Sequence, residues 1–265
     1  MDINFLKQNG VDTDKALELF GDMDIYNETF QDYLDGIDEK LSNLKRSKDN
    51  ENWQDYGIFA HSIKSDARYL GFTKEAEIFL QHEMAGKQEN QHFIEKEYDN
   101  LLKTVSYMTS IVKRYLSGEK ALSRMPEPEE RPVVNTVTAP LEDVVLIVDD
   151  SKIVDNFALK VMDGMYKGVV ALDGKEAIDI ISSNKYNILA ILLDLNMPNV
   201  GGFEVLDYLK NSNHYSKIPI SIITGEDSKD MIDKAFKYNI VDMLVKPFSK
   251  SDFLRVLDKT INLNK

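Results

Sequence analysis

The sequence of 265 residues contains no cysteine, which excludes disulfides, thiolate metal sites and cysteine nucleophiles. Long apolar runs are missing too. The longest, "ILAILL" at 188–193, falls far short of the ~20 residues a bilayer-spanning helix needs, so no membrane insertion is expected. Positive charge is in deficit, with a formal net charge of −13 and both halves acidic. No basic stripe is available for a phosphate backbone, which argues against direct nucleic-acid binding. The opening "MDINFLKQNGVDTD" has neither the basic start nor the apolar stretch of a signal peptide. Together with the missing cysteine, this suits a cytoplasmic protein. Proline is absent from the first 118 residues and then occurs four times in "SGEKALSRMPEPEERPVVNTVTAP" (117–140).

What is present divides at that proline-rich stretch, which has the composition of a linker. Residues 1–118 show helical periodicity, with a short helix near 14–20 and long amphipathic ones near 23–47, 51–70, 73–86 and 91–117. Gly71 terminates one of them and Thr73 is the expected N-cap of the next. Four long helices with short loops predict an all-α antiparallel four-helix bundle. Residues 143–265 alternate apolar runs ("VVLIV", "KGVVAL", "NILAILLDL", "IPISIIT", "VDMLV") with amphipathic segments. That alternation predicts an α/β doubly wound sheet of five parallel strands. The expected organisation is a bundle over 1–118, a linker over 119–142 and an α/β domain over 143–265.

In a doubly wound sheet, sites form beyond the carboxyl ends of the strands. Asp149 and Asp150 end the first strand, Asp194 the third and Thr224 the fourth, and Lys246 follows the fifth. Three carboxylates on one rim repel one another unless a cation sits among them. Their oxygens suit a hard ion such as Mg²⁺, which keeps waters and bridges to phosphate. The set therefore points to phosphoryl chemistry at a carboxylate. Asp194 is the candidate nucleophile, Lys246 pairs with the phosphorylated carboxylate and Thr224 hydrogen-bonds a phosphoryl oxygen.

"LIVDDS", "ILLDLNMPNVGG", "SIITGE" and "LVKPF", in that order, resemble the signature of the response-regulator receiver domain. The resemblance implies Asp194 as phosphoacceptor, Asp149 and Asp150 as metal-binding acids, and the backbone carbonyl of Asn196 as a further metal ligand. It implies Thr224 and Lys246 as switch residues, and a cis bond between Lys246 and Pro247. Met243 departs from the family, which places Tyr or Phe there; methionine fills the pocket without a ring or hydroxyl to report the switch. Asn196 and Glu226 resemble the chemotaxis-type pattern linked with short-lived phosphorylation. A haloacid-dehalogenase reading would need an acid two residues after Asp194, where Asn196 stands.

One histidine in the bundle stands apart. Trp53, Tyr56, Phe59, Ala60, Ile63, Ala67 and Leu70 repeat at three- and four-residue spacing and mark the core stripe of their helix. His61 lies roughly 130° from that stripe and is expected to face solvent. Gly57 and Ser65 are small and leave room around the ring, and Lys64 and Arg68 bring positive charge to where a phosphoryl group would sit. A neutral imidazole is a nucleophile near pH 7. Ala60, His61, Lys64 and Gly71 resemble the histidine-containing phosphotransfer (HPt) pattern, with Ile63 in place of Leu and Ser65 in place of the first Gly. The resemblance implies His61 as phosphohistidine and Lys64 as its helper. His82 and His92 lack such surroundings, and no HxxxH or HExxH spacing points to histidine-bound metal.

No GxxxxGK[ST] loop or sensor-kinase glycine motif is present, so phosphoryl groups must come from a partner or a small donor. The expected function is a phosphorelay protein carrying phosphoryl groups on His61 and, with Mg²⁺, on Asp194, as a transfer intermediate rather than a turnover enzyme. Expected partners are a sensor histidine kinase or other receiver and HPt proteins. Two rivals stay open: a receiver switch with the bundle as a passive docking module, and a phosphate sink or phosphatase.

Overall fold

The computed structural model describes residues 2–118, 141–212, 215, 217–225 and 229–264. The linker expected over 119–142 falls almost wholly outside the described residues, and Glu226 lies outside them as well.

The first part is helical: α1 (Ile3–Gln8), α2 (Thr13–Phe20), α3 (Met23–Asp49), α4 (Trp53–Tyr69), α5 (Thr73–Lys87) and α6 (Gln91–Ser117). Side-chain caps start most of them. Asp22 accepts from the N–H groups of Asp24 and Ile25 to open α3, Asn52 caps α4, and Asn90 caps α6, each satisfying donors that a helix start leaves orphaned. α5 differs from expectation: Phe72 holds the cap position without a side-chain bond, and Thr73 is the first helical residue. The six-residue α1, capped by Asp2, is too short to show a period. Gly57 also has a role other than the one expected. A Cβ on Gly86 would sit 2.6 Å from the Gly57 Cα, so the paired glycines let α4 and α5 touch backbone to backbone. They do not open space beside His61.

The second part is a parallel sheet in the order β2-β1-β3-β4-β5, built from β1 (Glu142–Val148), β2 (Lys167–Ala171), β3 (Tyr186–Asp194), β4 (Ile220–Thr224) and β5 (Met243–Val245). The crossover helices are α7 (Lys152–Met162), α8 (Gly174–Ser182), α9 (Gly202–Lys210), α10 (Lys229–Ala235) and α11 (Lys250–Ile261). Central strand residues Val144–Val148 and Ala190–Leu193 are buried on both faces, hence their unbroken apolar sequence. The strand order reverses between β1 and β3, so the ends of those two strands flank the crevice.

One apolar core runs from the bundle into one face of the sheet. Phe20 of α2 meets Phe157 of α7 edge-on at 5.5 Å, and Tyr69 of α4 meets Phe248 at 5.9 Å. Phe157 also packs on Phe248 and Phe253, and Lys160 of α7 pairs with Glu28 of α3. Fully buried rings of this kind are worth about 1.5–3 kcal/mol each relative to exposure. The join therefore resembles a permanent interface more than a transient one. Phe157→Ala is expected to lower stability by about 3–5 kcal/mol, read as an earlier urea midpoint; a change under about 1 kcal/mol would mean the join is loose. Among the described residues, no helix is long and apolar enough to cross a membrane.

Candidate functional site

The strand ends converge as expected. Asp149 and Asp150 follow β1, Asp194 ends β3, Thr224 ends β4, and Lys246 follows β5 through a cis bond to Pro247. The Lys246 ammonium stands 2.6 Å from Asp149 and 2.6 Å from Asp194. Its backbone N–H donates to the Thr224 carbonyl at 2.7 Å. The Ser151 N–H donates to Asp149 and the Asn196 N–H to Asp194, each at 3.0 Å, so turn amides fix the orientation of both carboxylates. Met243 packs against the core on the other face of the sheet.

One ammonium does not neutralise this rim. Burial pushes the Asp149 carboxyl up, Lys246 pulls it down, and Asp194 and Asp150 push it up again, to about 7. Burial also raises Asp150, against the pull of Lys40. For Lys246 burial acts downward, yet Asp149 and Asp194 outweigh it and hold the ammonium well above its usual range. An oxygen from each of Asp149, Asp150 and Asp194 lies within 4.8 Å of the others. An all-oxygen donor set with surplus negative charge fits a hard divalent cation.

His61 is where expectation and structure part. Its ring is 3% exposed rather than turned to solvent. Two neighbours from outside its own helix cover it. Gly225, just past β4, lies so close that a Cβ there would sit 2.7 Å from His61 Nε2. On the other side, Glu83 of α5 takes Nδ1 at 2.9 Å. Glu83 also binds Lys64 at 2.5 Å and Lys87 at 2.9 Å. Burial alone would raise the Glu83 carboxyl, but the His61 and Lys64 interactions prevail and hold it well below the usual range. An ionised carboxylate only accepts hydrogen bonds, so Glu83 favours a proton on Nδ1, a nitrogen that the Lys64 ammonium also approaches at 3.2 Å. Nε2 has no hydrogen-bond partner among the described residues. It faces the backbone next to Thr224.

The two basic neighbours also differ from expectation. Lys64 is buried rather than open to solvent, bound to Glu83 and 3.2 Å from His61 Nδ1, with burial lowering its pKa against the pull of that carboxylate. Arg68 lies 3.9 Å from Glu77. Instead, the contact with the carboxylate rim uses small and acidic side chains of α4. The Ser151 hydroxyl donates to Asp66 at 3.0 Å, Lys40 of α3 holds the other Asp66 oxygen at 2.6 Å, and the Ser62 hydroxyl beside Asp150 favours its ionised form. His82 is buried against Tyr56, whose hydroxyl meets its Nδ1 at 2.7 Å.

Glu83, Asp66, Ser62, Lys40 and Gly225 were not singled out by sequence reasoning. A signal existed for three of them. Glu83 falls in register with Phe79, His82 and Gly86 on the buried face of α5, and a carboxylate in that register needs a cation. Ser62, Ser65, Asp66 and Tyr69 form a second i, i+3, i+4, i+7 stripe on α4.

Comparison with known proteins matches residues 145–258 to the response regulator receiver domain. The two-component response regulator ORR3 of Oryza sativa is 32% identical over 128 residues, covering 48% of this chain and 95% of that protein. The CAI-1 autoinducer sensor kinase/phosphatase CqsS of Vibrio cholerae is 32% identical over 146 residues, 54% of this chain; the match spans only 20% of the kinase's length. Among solved structures, the chemotaxis protein CheY4 of Vibrio cholerae is 28% identical, covering 45% of this chain and 98% of that one, with a TM-score of 0.41.

Proposed function

The chain belongs to the response regulator receiver family through residues 145–258, and from that premise we propose a phosphorelay protein whose acceptor, Asp194, exchanges its phosphoryl group with His61 of the same chain. Two-component signalling through an aspartate is the family's activity. The exchange with an HPt-like bundle over residues 1–118 is our reading. The observation that carries it is a buried imidazole whose unpartnered Nε2 lies against Gly225, one residue beyond Thr224. A buried polar atom without a partner is costly, and a nucleophile that must stay free for phosphorus accounts for it.

Phosphoryl transfer asks little covalent chemistry of a protein and much positioning. In the forward direction a P–O bond to Asp194 forms as the P–N bond at His61 Nε2 breaks, and the electron pair returns to the ring. The reverse step exchanges the same two bonds. Glu83 keeps the Nδ1 proton in place throughout, so Nε2 is the reacting nitrogen in both directions. Lys246, already against the Asp194 carboxylate, stays with it as its charge grows, and the Thr224 hydroxyl serves the phosphoryl oxygens. A divalent cation such as Mg²⁺, held by Asp149, Asp150, Asp194 and the Asn196 carbonyl, supplies charge neutralisation when bound.

A passive bundle that only caps the receiver is the competing reading, and the shared aromatic core favours it. Labelling the full chain from a small acyl phosphate, then sorting the label by acid and base lability, separates the two. The relay predicts both phosphohistidine and phosphoaspartate in the native chain, only phosphoaspartate in His61→Gln, and neither in Asp194→Asn. A native chain without acid-labile label would leave the cap.

A further inference from the structure

The bundle meets the carboxylate rim at two successive receiver residues. Asp66 of α4 accepts from the Ser151 hydroxyl at 3.0 Å, and Lys40 fixes its other oxygen at 2.6 Å. Ser62 stands four residues before Asp66, one turn back on the same helix face. Its hydroxyl lies beside Asp150, the residue before Ser151, and favours the ionised form of that carboxyl. Ser62 is 1% exposed, yet its oxygen makes no hydrogen bond of regular geometry among the described residues. A buried hydroxyl left in that state is costly, and α4 has no structural need of one there.

The charges indicate what such an oxygen serves. Asp149, Asp150 and Asp194 bring three negative charges, with an oxygen from each within 4.8 Å of the others. Lys246 returns one positive charge, 2.6 Å from both Asp149 and Asp194. The two negative charges that remain match one divalent ion. A further carboxylate would overcharge the site; a neutral oxygen does not. Mg²⁺ takes six oxygens in a near-ideal octahedron. The three carboxylates and the Asn196 carbonyl account for four, and a phosphoryl oxygen for a fifth. Adjacent octahedral oxygens stand roughly 3 Å apart, which is hydrogen-bond spacing. A hydroxyl beside Asp150 is therefore within reach of an ion on Asp150.

Resting on the reading of the rim as a divalent-cation site, we infer that Ser62 of the bundle supplies a neutral oxygen ligand to the ion held by Asp149, Asp150 and Asp194. The cation then belongs to both parts of the chain. Loading the ion and seating the bundle favour each other by the same factor. Asp66 and Lys40 are positioning residues, which hold α4 where Ser62 reaches.

The sequence has no native cysteine, so a single introduced thiol is read without background. Ser62→Cys replaces a hard oxygen by a soft sulfur, which favours Cd²⁺ over Mg²⁺. The full chain is titrated calorimetrically with each metal. Ser62→Cys is expected to bind Mg²⁺ about tenfold more weakly than the native chain and Cd²⁺ about tenfold more tightly. A sulfur-to-cadmium charge-transfer band in the ultraviolet should grow with Cd²⁺ occupancy, a signal that a merely structural Ser62 would not produce. Adding Asp150→Asn should abolish the band, because the thiol alone does not hold the ion. A folded Ser62→Cys chain with native Cd²⁺ affinity and no band overturns the inference, as does a band that survives Asp150→Asn. Where the larger sulfur unfolds the chain, Ser62→Ala decides: Mg²⁺ bound about tenfold more weakly supports the ligand, and native affinity overturns it. A native chain that binds neither metal overturns the cation reading itself, and this inference with it.

Discussion

Gly225→Ala is expected to cut phosphoryl exchange between Asp194 and His61 by about 100-fold while leaving Asp194 able to accept from a small donor. The added methyl would stand 2.7 Å from His61 Nε2 and 2.8 Å from Cε1. The ring is held from behind by Glu83 at 2.9 Å, so it cannot retreat without breaking that bond. Either α4 shifts away from the rim or the imidazole turns. A displacement near 1 Å in a positioned transfer costs on the order of 100-fold. The measurement is the rate at which acid-labile label appears after the acceptor is charged, with the base-labile label as internal control. An equal loss of both kinds would place the damage at the acceptor. An unchanged histidyl rate would mean the two groups do not meet in the arrangement described.

The second large effect belongs to Glu83. This carboxylate is buried and serves His61, Lys64 and Lys87 together. Glu83→Ala leaves the Lys64 ammonium buried without its counter-charge, and breaking a buried pair from one side costs about 3–5 kcal/mol. The urea midpoint should fall accordingly. Replacing both partners, Glu83→Leu with Lys64→Met, removes the stranded charge and should recover most of that loss. Histidyl phosphorylation should not recover with it, because nothing then holds the proton on Nδ1. Recovery of both stability and transfer in the double variant would make Glu83 a packing residue only.

Much of this architecture was readable from the residues because burial on both faces leaves its mark. Parallel strands such as "VVLIV" carry no alternation, and the aspartates that end them sit where a doubly wound sheet gathers its ligands. The long helices announced themselves by period. The six residues of α1 are too few to do so, and Thr73 moved by one position because a threonine suits either the cap or the first turn. His61 shows a deeper limit. A helical wheel tells how far a side chain points from the core stripe of its own helix, here well away from it. It does not distinguish water from another element of the same chain. The ring therefore reads as exposed, although Gly225 lies across it, 164 positions further along (225 − 61). The same limit turned Gly57 into apparent space beside the ring, when its true neighbour is Gly86. Contacts between distant segments leave a trace in sequence only when they force an odd residue type into a regular pattern, as Glu83 does on α5.

In the proposed exchange, the continuity of the core across Phe20, Tyr69, Phe157 and Phe248 would also set the kinetic order. With donor and acceptor seated in one molecule, the step is unimolecular, and its rate does not change on dilution. Two separate modules meeting by diffusion would slow in proportion to their concentrations. The abundance of the protein in a cell would then alter how many of the proposed transfers occur, not how fast each one runs.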